Sequence, residues 1–224
     1  SKDTPLQTIK KVGVIGAGTM GGGISMNFAN VGIPVKILEM DQAALDKGLG
    51  IVKKNYEASA WKGRISSEDV DVRMGLIEGT TNYSDLKDVD LVIEAVFENM
   101  DVKKEVFSKL NETVSENTIL ASNTSYLDID EIATVVDNPE RVLGMHFFSP
   151  ANIMRLLEII KAEKTSPAIL ATVLKLAKSI KKVGAVAGVC HGFIGNRMLT
   201  GYSREANLLV MEGAPPEQVD RVLY

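Results

Sequence analysis

The sequence predicts an α/β fold: a mostly parallel sheet with a helical arm, followed by the opening of an all-helical region. Three observations predict it. From Lys11 onward, short β-branched apolar runs alternate with longer segments of helical composition, as when parallel strands are joined by crossover helices. Most of these runs are apolar nearly throughout, as strands covered on both faces must be. Beyond residue 190 only helical patterns follow.

The elements follow in order. Residues 1–10, "SKDTPLQTIK", lack the apolar core of a signal peptide and read as a linker or an artificial edge. Strands are predicted at "KVGVIG" (11–16), "PVKILE" (34–39), "DLVIEAV" (90–96), "TILAS" (118–122), "RVLGMHFF" (141–148) and "LLEIIK" (156–161). Between the second and third, residues 41–77 are rich in Ala, Leu and Lys and predict a helical arm longer than a minimal crossover. Residues 166–184 repeat apolar residues at helical spacing and end in lysines then glycine, a helix C-terminus. A second long helix is predicted over 193–213, and the prolines of "APPEQVDRVLY" start another. The domain reading is 11–190 for the sheet domain and 191–224 for the truncated beginning of a helical C-terminal domain. No internal repeat or low-complexity tract stands out.

Composition excludes several function classes. At 224 residues and 45% hydrophobic content the chain can bury a full core. A net charge of −4 gives no field to draw in nucleic acid or an anionic membrane, so neither is expected as a partner. The single cysteine, Cys190, cannot form an internal disulfide, and two histidines far apart offer no zinc-ligand spacing. The expectation is an intracellular protein without a structural metal. No apolar run approaches the ~20 residues that span a bilayer.

"KVGVIGAGTMGGG" carries the first chemistry. Gly16, Gly18 and Gly21 form G-x-G-x-x-G directly after a predicted strand and at the opening of a predicted helix. Gly16 permits the tight turn, Gly18 lets backbone approach a pyrophosphate and Gly21 allows close helix packing, while the helix N-terminus offers amide donors. The second strand ends at Glu39, where a dinucleotide-binding fold carries the carboxylate that accepts from the adenine ribose hydroxyls. Together these predict a Rossmann-type domain. A carboxylate there repels a ribose phosphate, which favours NAD over NADP. Asp41 is the alternative acid, beyond the apolar run.

"GMHFFSP" (144–150) sets His146 against two phenylalanines. From the heptapeptide alone, a packed core histidine is the simpler reading. However, "VIGAGTMGGGI", "VIEAVFEN", "SNTS", "HFFSPANIMRLLEII" and "GFIGNRM", in that order, resemble the blocks of the 3-hydroxyacyl-CoA dehydrogenases of fatty-acid β-oxidation. The serine form "HFFSP" and the "PPEQVDRVLY" ending are more similar to the dehydrogenase part of bacterial or peroxisomal multifunctional β-oxidation proteins than to the stand-alone mitochondrial enzyme.

The resemblance implies NAD-dependent oxidation of (S)-3-hydroxyacyl-CoA to 3-oxoacyl-CoA, with His146 as catalytic base. Imidazole, with an ordinary pKa near ~6.5, suits removal of a hydroxyl proton at neutral pH. Glu158 is implied as its carboxylate partner, and a glutamate within "RLLEIIK" would otherwise be a costly core charge. Ser125 is implied to hydrogen-bond the substrate's 3-oxygen, and Asn196 to donate to that oxygen or the thioester carbonyl. Taken alone, either could be a cap or turn residue. Thr19, Met20, Ala95, Glu98, Lys103 and Asn123 join the implied cofactor set, although Glu98 and Lys103 at helical spacing could equally form a solvated face. Lys62 and Arg64, on the arm, are implied to meet the CoA nucleotide, the alternative being ordinary surface charge. His191 receives no role, and Ser149 stands where the stand-alone enzymes carry asparagine. The implied partners are acyl-CoA and either a homodimer through C-terminal helices or a fused enoyl-CoA hydratase domain. The implied location is bacterial cytoplasm, with the peroxisomal matrix as alternative. Two other readings remain: a non-enzymatic, crystallin-like NAD-binding relative, and a dehydrogenase of small β-hydroxy acids, where a lysine replaces the His and Glu pair.

Overall fold

The computed structural model describes residues 4–223. Its strands are β1 (Val12–Ile15), β2 (Val35–Leu38), β3 (Ile77–Thr80), β4 (Leu91–Glu94), β5 (Ile119–Ser122), β6 (Val142–Phe147), β7 (Leu156–Lys161) and β8 (Val183–Gly188). They form one sheet in the order β3-β2-β1-β4-β5-β6-β7-β8. The first six are parallel, β7 is antiparallel to β6, and β8 runs parallel to β7. Because β1 pairs with β2 on one side and β4 on the other, the strand order reverses beside β1. In such sheets that reversal opens a crevice at the carboxyl ends of the strands.

The sheet is covered on both faces, which is why its strands read as continuous apolar runs. On one face Val12 and Val14 pack with Ile24 and Phe28 of α1 (Thr19–Ala29), Leu45, Val52 and Tyr56 of α2 (Gln42–Trp61), and Val173 and Leu176 of α6 (Pro167–Ser179). On the other, Ile15 and Val92 pack with Phe107 and Leu110 of α4 (Met100–Thr113) and Ile129 and Ile132 of α5 (Ile129–Ala133). Phe28 and Phe107 are fully buried, and burying each such ring contributes about 1.5–3 kcal/mol.

All six predicted strands form, each trimmed by one to three residues except 156–161. Three expectations need correction. The arm 41–77 is two helices, α2 and α3 (Ser67–Gly75), and its last residue already begins β3. The arm breaks because Ser66 and Asp69 form a reciprocal capping box that starts a fresh helix after the turn at Gly63, where φ is +67°. The helix expected to run to residue 184 ends at Ser179, and β8 follows at Val183. Neither β3 ("IEGT") nor β8 ("VGAVAG") was predicted, because as edge-side strands rich in glycine or small residues they lack an apolar run.

The C-terminal helices are α7 (Gly195–Met211) and α8 (Pro216–Leu223). Of the expected linker, residues 1–3 lie outside the described residues, whereas the amides of Lys10 and Lys11 donate to Asp90 and that of Gln7 donates to Thr172. That stretch is tied to the domain. No helix of the described residues is long and apolar enough to cross a membrane.

Candidate active site

The glycine turn is built as its spacing predicts. The Gly16 amide donates to the Leu38 carbonyl at 2.7 Å, and φ at Gly16 is +99°, a conformation that favours glycine. A Cβ on Gly21 would stand 1.8 Å from the Gly16 carbonyl oxygen, so helix and turn approach as only glycine allows. Beside Gly18 the space is open, and α1 begins there without a side-chain cap, leaving first-turn amides for an external acceptor. A cavity of about 530 Å³ lies against this turn, lined by Gly16, Gly18, Thr19, Met20, Glu39 and Ala95. Glu39 accepts from the Ala17 amide at 3.1 Å and from the Met40 amide at 2.9 Å, while Asp41 is occupied as the N-cap of α2. The donors, the open glycine and the carboxylate fit a dinucleotide. Sequence reasoning missed the far wall of this cavity, Phe97, Val102 and Val106, which carries no motif.

His146 ends in a chain of hydrogen bonds. It lies directly across from Glu158 in the antiparallel β6–β7 pair, 4% exposed, with Nδ1 2.7 Å from Glu158 Oε2. Its Nε2 lies 3.2 Å from Ser125 Oγ. Glu158 Oε1 accepts from the amides of Ile194 and Gly195 at 3.1 and 2.7 Å, at the start of α7. With Glu158 Oε1 taken by two N–H donors and Oε2 accepting as well, Nδ1 carries the proton and Nε2 presents a lone pair towards Ser125. The rings of Phe148 and Phe193 pack at 4.4 and 5.8 Å from the imidazole. Phe193 is buried, yet its backbone is left-handed, with φ of +46°. The histidine is thus both packed and wired: its aromatic surroundings shield a polar chain from water.

A family model of the 3-hydroxyacyl-CoA dehydrogenase NAD-binding domain matches residues 11–190, and one of the C-terminal domain matches residues 192–224. The chain belongs to the 3-hydroxyacyl-CoA dehydrogenase family. Among its relatives is the peroxisomal bifunctional enzyme of Cavia porcellus, 44% identical over 99% of this chain but only 30% of that protein. The chain therefore spans less than a third of that curated relative. Among solved structures it is similar to (S)-3-hydroxybutyryl-CoA dehydrogenase PaaH1 from Ralstonia eutropha, with TM-score 0.92 and 38% identity over 94% of this chain and 75% of that one. It is equally similar to FadB2 of M. tuberculosis, with TM-score 0.92 and 35% identity over 95% and 75% of the two chains.

The other expected 3-hydroxyacyl-CoA dehydrogenase residues divide. Glu98, expected at the cofactor, turns its Oε1 to the Thr124 hydroxyl and to the amides of Ser125 and Tyr126, at 2.9 and 3.1 Å. Lys103, expected beside it, is 1% exposed, its ammonium 2.6 Å from Glu94 and 3.5 Å from Glu98. Burial pushes the Glu98 carboxyl up, but the Thr124 hydroxyl, the Lys103 charge and the two amides outweigh it and hold the group below its ordinary value of 4.5. Asn123 accepts from the Phe147 amide at 2.9 Å, fixing the end of β6 to that of β5.

Asn196 follows the amide that binds Glu158 and lines, with Tyr126, a neighbouring cavity of about 520 Å³ along α7. Its side chain makes no hydrogen bond among the described residues. Lys62 and Arg64 are exposed at the turn between α2 and α3, outside both cavities. Ser149 is exposed, and His191, also exposed, stacks on Tyr126 at 5.0 Å. Two buried charged residues near the site carry no role in the sequence reading. Glu94, fully buried at the end of β4, carried the same signal that marked Glu158, an acid inside an apolar run. Lys182 donates to the Ala151 and Met154 carbonyls at 2.7 Å each and holds the loop after "HFFSP"; burial pulls its pKa down.

Proposed function

We propose that this chain catalyses the NAD-dependent, reversible oxidation of (S)-3-hydroxyacyl-CoA to 3-oxoacyl-CoA, in a protein where residues 11–190 bind the cofactor and 191–224 begin a helical domain. The observation that carries the reading is the unbroken chain Ser125–His146–Glu158, at the same sheet edge as the glycine-turn cavity.

In this reading His146 Nε2 takes the proton of the substrate's 3-hydroxyl as the carbon is oxidised, and Glu158 stabilises the imidazolium that forms. Ser125 Oγ, within reach of Nε2, marks where the substrate oxygen binds, and Asn196 donates to that oxygen or to the thioester carbonyl. NAD supplies the hydride acceptor when bound. Gly16, Gly18, Thr19, Met20 and Gly21 would hold its pyrophosphate and Glu39 its adenine ribose, with Ala95, Glu98, Lys103 and Asn123 in the set beside it. Lys62 and Arg64 meet the CoA nucleotide at the arm.

Acyl-CoA as substrate, fusion to an enoyl-CoA hydratase domain and pairing of two copies through C-terminal helices belong to the same proposal. Exposed Met198, Leu199 and Met211 on α7 support a neighbour on that helix. The compartment is bacterial cytoplasm or, as the name of the Cavia porcellus relative suggests, the peroxisomal matrix. Mixing the protein with NADH and acetoacetyl-CoA and following absorbance tests the reading. No substrate-dependent oxidation would leave the chain a binding protein or a dehydrogenase of other β-hydroxy acids.

A further inference from the structure

The loop that carries Ser125, between β5 and α5, belongs to no strand or helix, so its backbone needs partners from elsewhere. Four consecutive amides find them in one place. The Thr124 amide donates to Ser122 Oγ at 3.2 Å, those of Ser125 and Tyr126 donate to Glu98 Oε1, and that of Leu127 donates to Thr124 Oγ1 at 2.9 Å. The acceptors are themselves joined. Ser122 Oγ donates to Glu94 Oε2 at 2.7 Å, Lys103 Nζ donates to Glu94 Oε1 at 2.6 Å and pairs with Glu98 Oε2, and Thr124 Oγ1 donates to Glu98.

The result is a closed ring, Glu94–Ser122–Thr124–Glu98–Lys103, linking the carboxyl ends of β4 and β5 to α4. Glu94, Ser122 and Thr124 are fully buried. Each oxygen of Glu94 has a donor, Oε1 taking the Val96 amide as well at 2.7 Å, so the buried charge is satisfied. The Ser122 hydroxyl has one hydrogen, and giving it to a carboxylate leaves its lone pair for the Thr124 amide. The direction of that link is therefore fixed by Glu94.

We propose that Glu94 and Ser122 are positioning residues for Ser125, setting its hydroxyl against His146 through this ring. The inference deepens the proposed function and rests on Ser125 acting at the substrate oxygen. A ring that only stabilised the fold would carry no specific coupling to the Ser125 hydroxyl.

The test is a double-mutant cycle with acetoacetyl-CoA and NADH, together with amide hydrogen exchange. Ser122→Ala breaks the ring without changing its charge. It should lower kcat about 10-fold with KM for NADH within about 2-fold, yet cost less than about 2-fold further in a Ser125→Ala background, since residues acting through one group are not additive. Exchange at the amides of residues 124–127 should quicken about 10-fold while the β1 amides hold their protection. Glu94→Gln should do the same, and if that variant fails to fold, Ser122→Ala alone decides. Equal losses in both backgrounds, or unchanged exchange at the four amides, would overturn the proposal. A wild-type chain inactive on acetoacetyl-CoA would strike the substrate reading instead and leave exchange to decide whether the ring holds the loop.

Discussion

Glu158→Gln keeps shape and volume, so its cost measures what the carboxylate does. In the native chain Oε1 accepts two amides, from Ile194 and Gly195, and Oε2 faces His146 Nδ1 at 2.7 Å. A carboxamide has one acceptor end and one donor end. If its oxygen serves the two amides, its NH2 faces the imidazole, Nδ1 must accept, and the proton moves to Nε2. The ring is then in the tautomer that cannot take a proton from the substrate. If the oxygen faces the imidazole instead, the NH2 meets two N–H donors. An unsatisfied buried donor costs about 1–3 kcal/mol, and a lost hydrogen bond to a charged group about 1.5–3 kcal/mol. Together these put the loss of transition-state stabilisation at about 2.5–6 kcal/mol, or about 10²–10⁴-fold in kcat. Steady-state reduction of acetoacetyl-CoA reads kcat, titration calorimetry should give an unchanged NAD affinity, and circular dichroism counts folded molecules. A kcat within about threefold of wild type per folded molecule would refute the tautomer argument.

Other perturbations separate the remaining roles. His146→Gln should leave NAD binding intact and lower turnover about 10²–10⁴-fold, and a variant that unfolds but keeps activity per folded molecule would return the histidine to a packing role. Glu39→Ala removes the acceptor beside the glycine turn and should weaken NAD by about 1.5–3 kcal/mol while relaxing discrimination against NADP, measured by fluorescence titration of both cofactors. Gly21→Ala drives a methyl into the Gly16 carbonyl and should lower both melting temperature and NAD affinity, whereas Gly18→Ala, with open space, should keep the melting temperature. Because the Glu98 carboxyl is held below 4.5, its contribution to stability is complete above that pH and is lost as pH falls through the lower folded value; Glu98→Gln should flatten that acid limb in chemical denaturation series.

The sequence made the parallel strands legible because burial on both faces writes them as apolar runs, and it made the glycine turn legible because only glycine tolerates its geometry. His146 and Glu158 were legible through the resemblance and through the cost of an acid in a core strand. What stayed hidden was the meeting of distant residues. Nothing in "DLVIEAV" tells that Glu94 reaches Ser122 and Lys103, since those contacts depend on strand order and on a helix packed above. The resemblance puts Glu98 in the cofactor set, and only the fold shows that its carboxylate also reaches the Ser125 loop. β8 escaped because alternating small residues, "VGAVAG", carry little hydrophobic signal even where they pair along a whole strand.

Phe193 holds a left-handed backbone that costs a non-glycine residue about 1–2 kcal/mol. Its ring is buried beside His146, and burial of a phenylalanine contributes about 1.5–3 kcal/mol. The two terms are close, with the ring slightly ahead. The side chain thus works as a latch on a sprung turn, and what the turn delivers when latched is the pair of amides at Ile194 and Gly195. A polar residue at 193 would let the spring relax, swing those amides away and free the carboxylate beneath them to rotate. The imidazole would then lose its fixed orientation without any catalytic side chain having been touched.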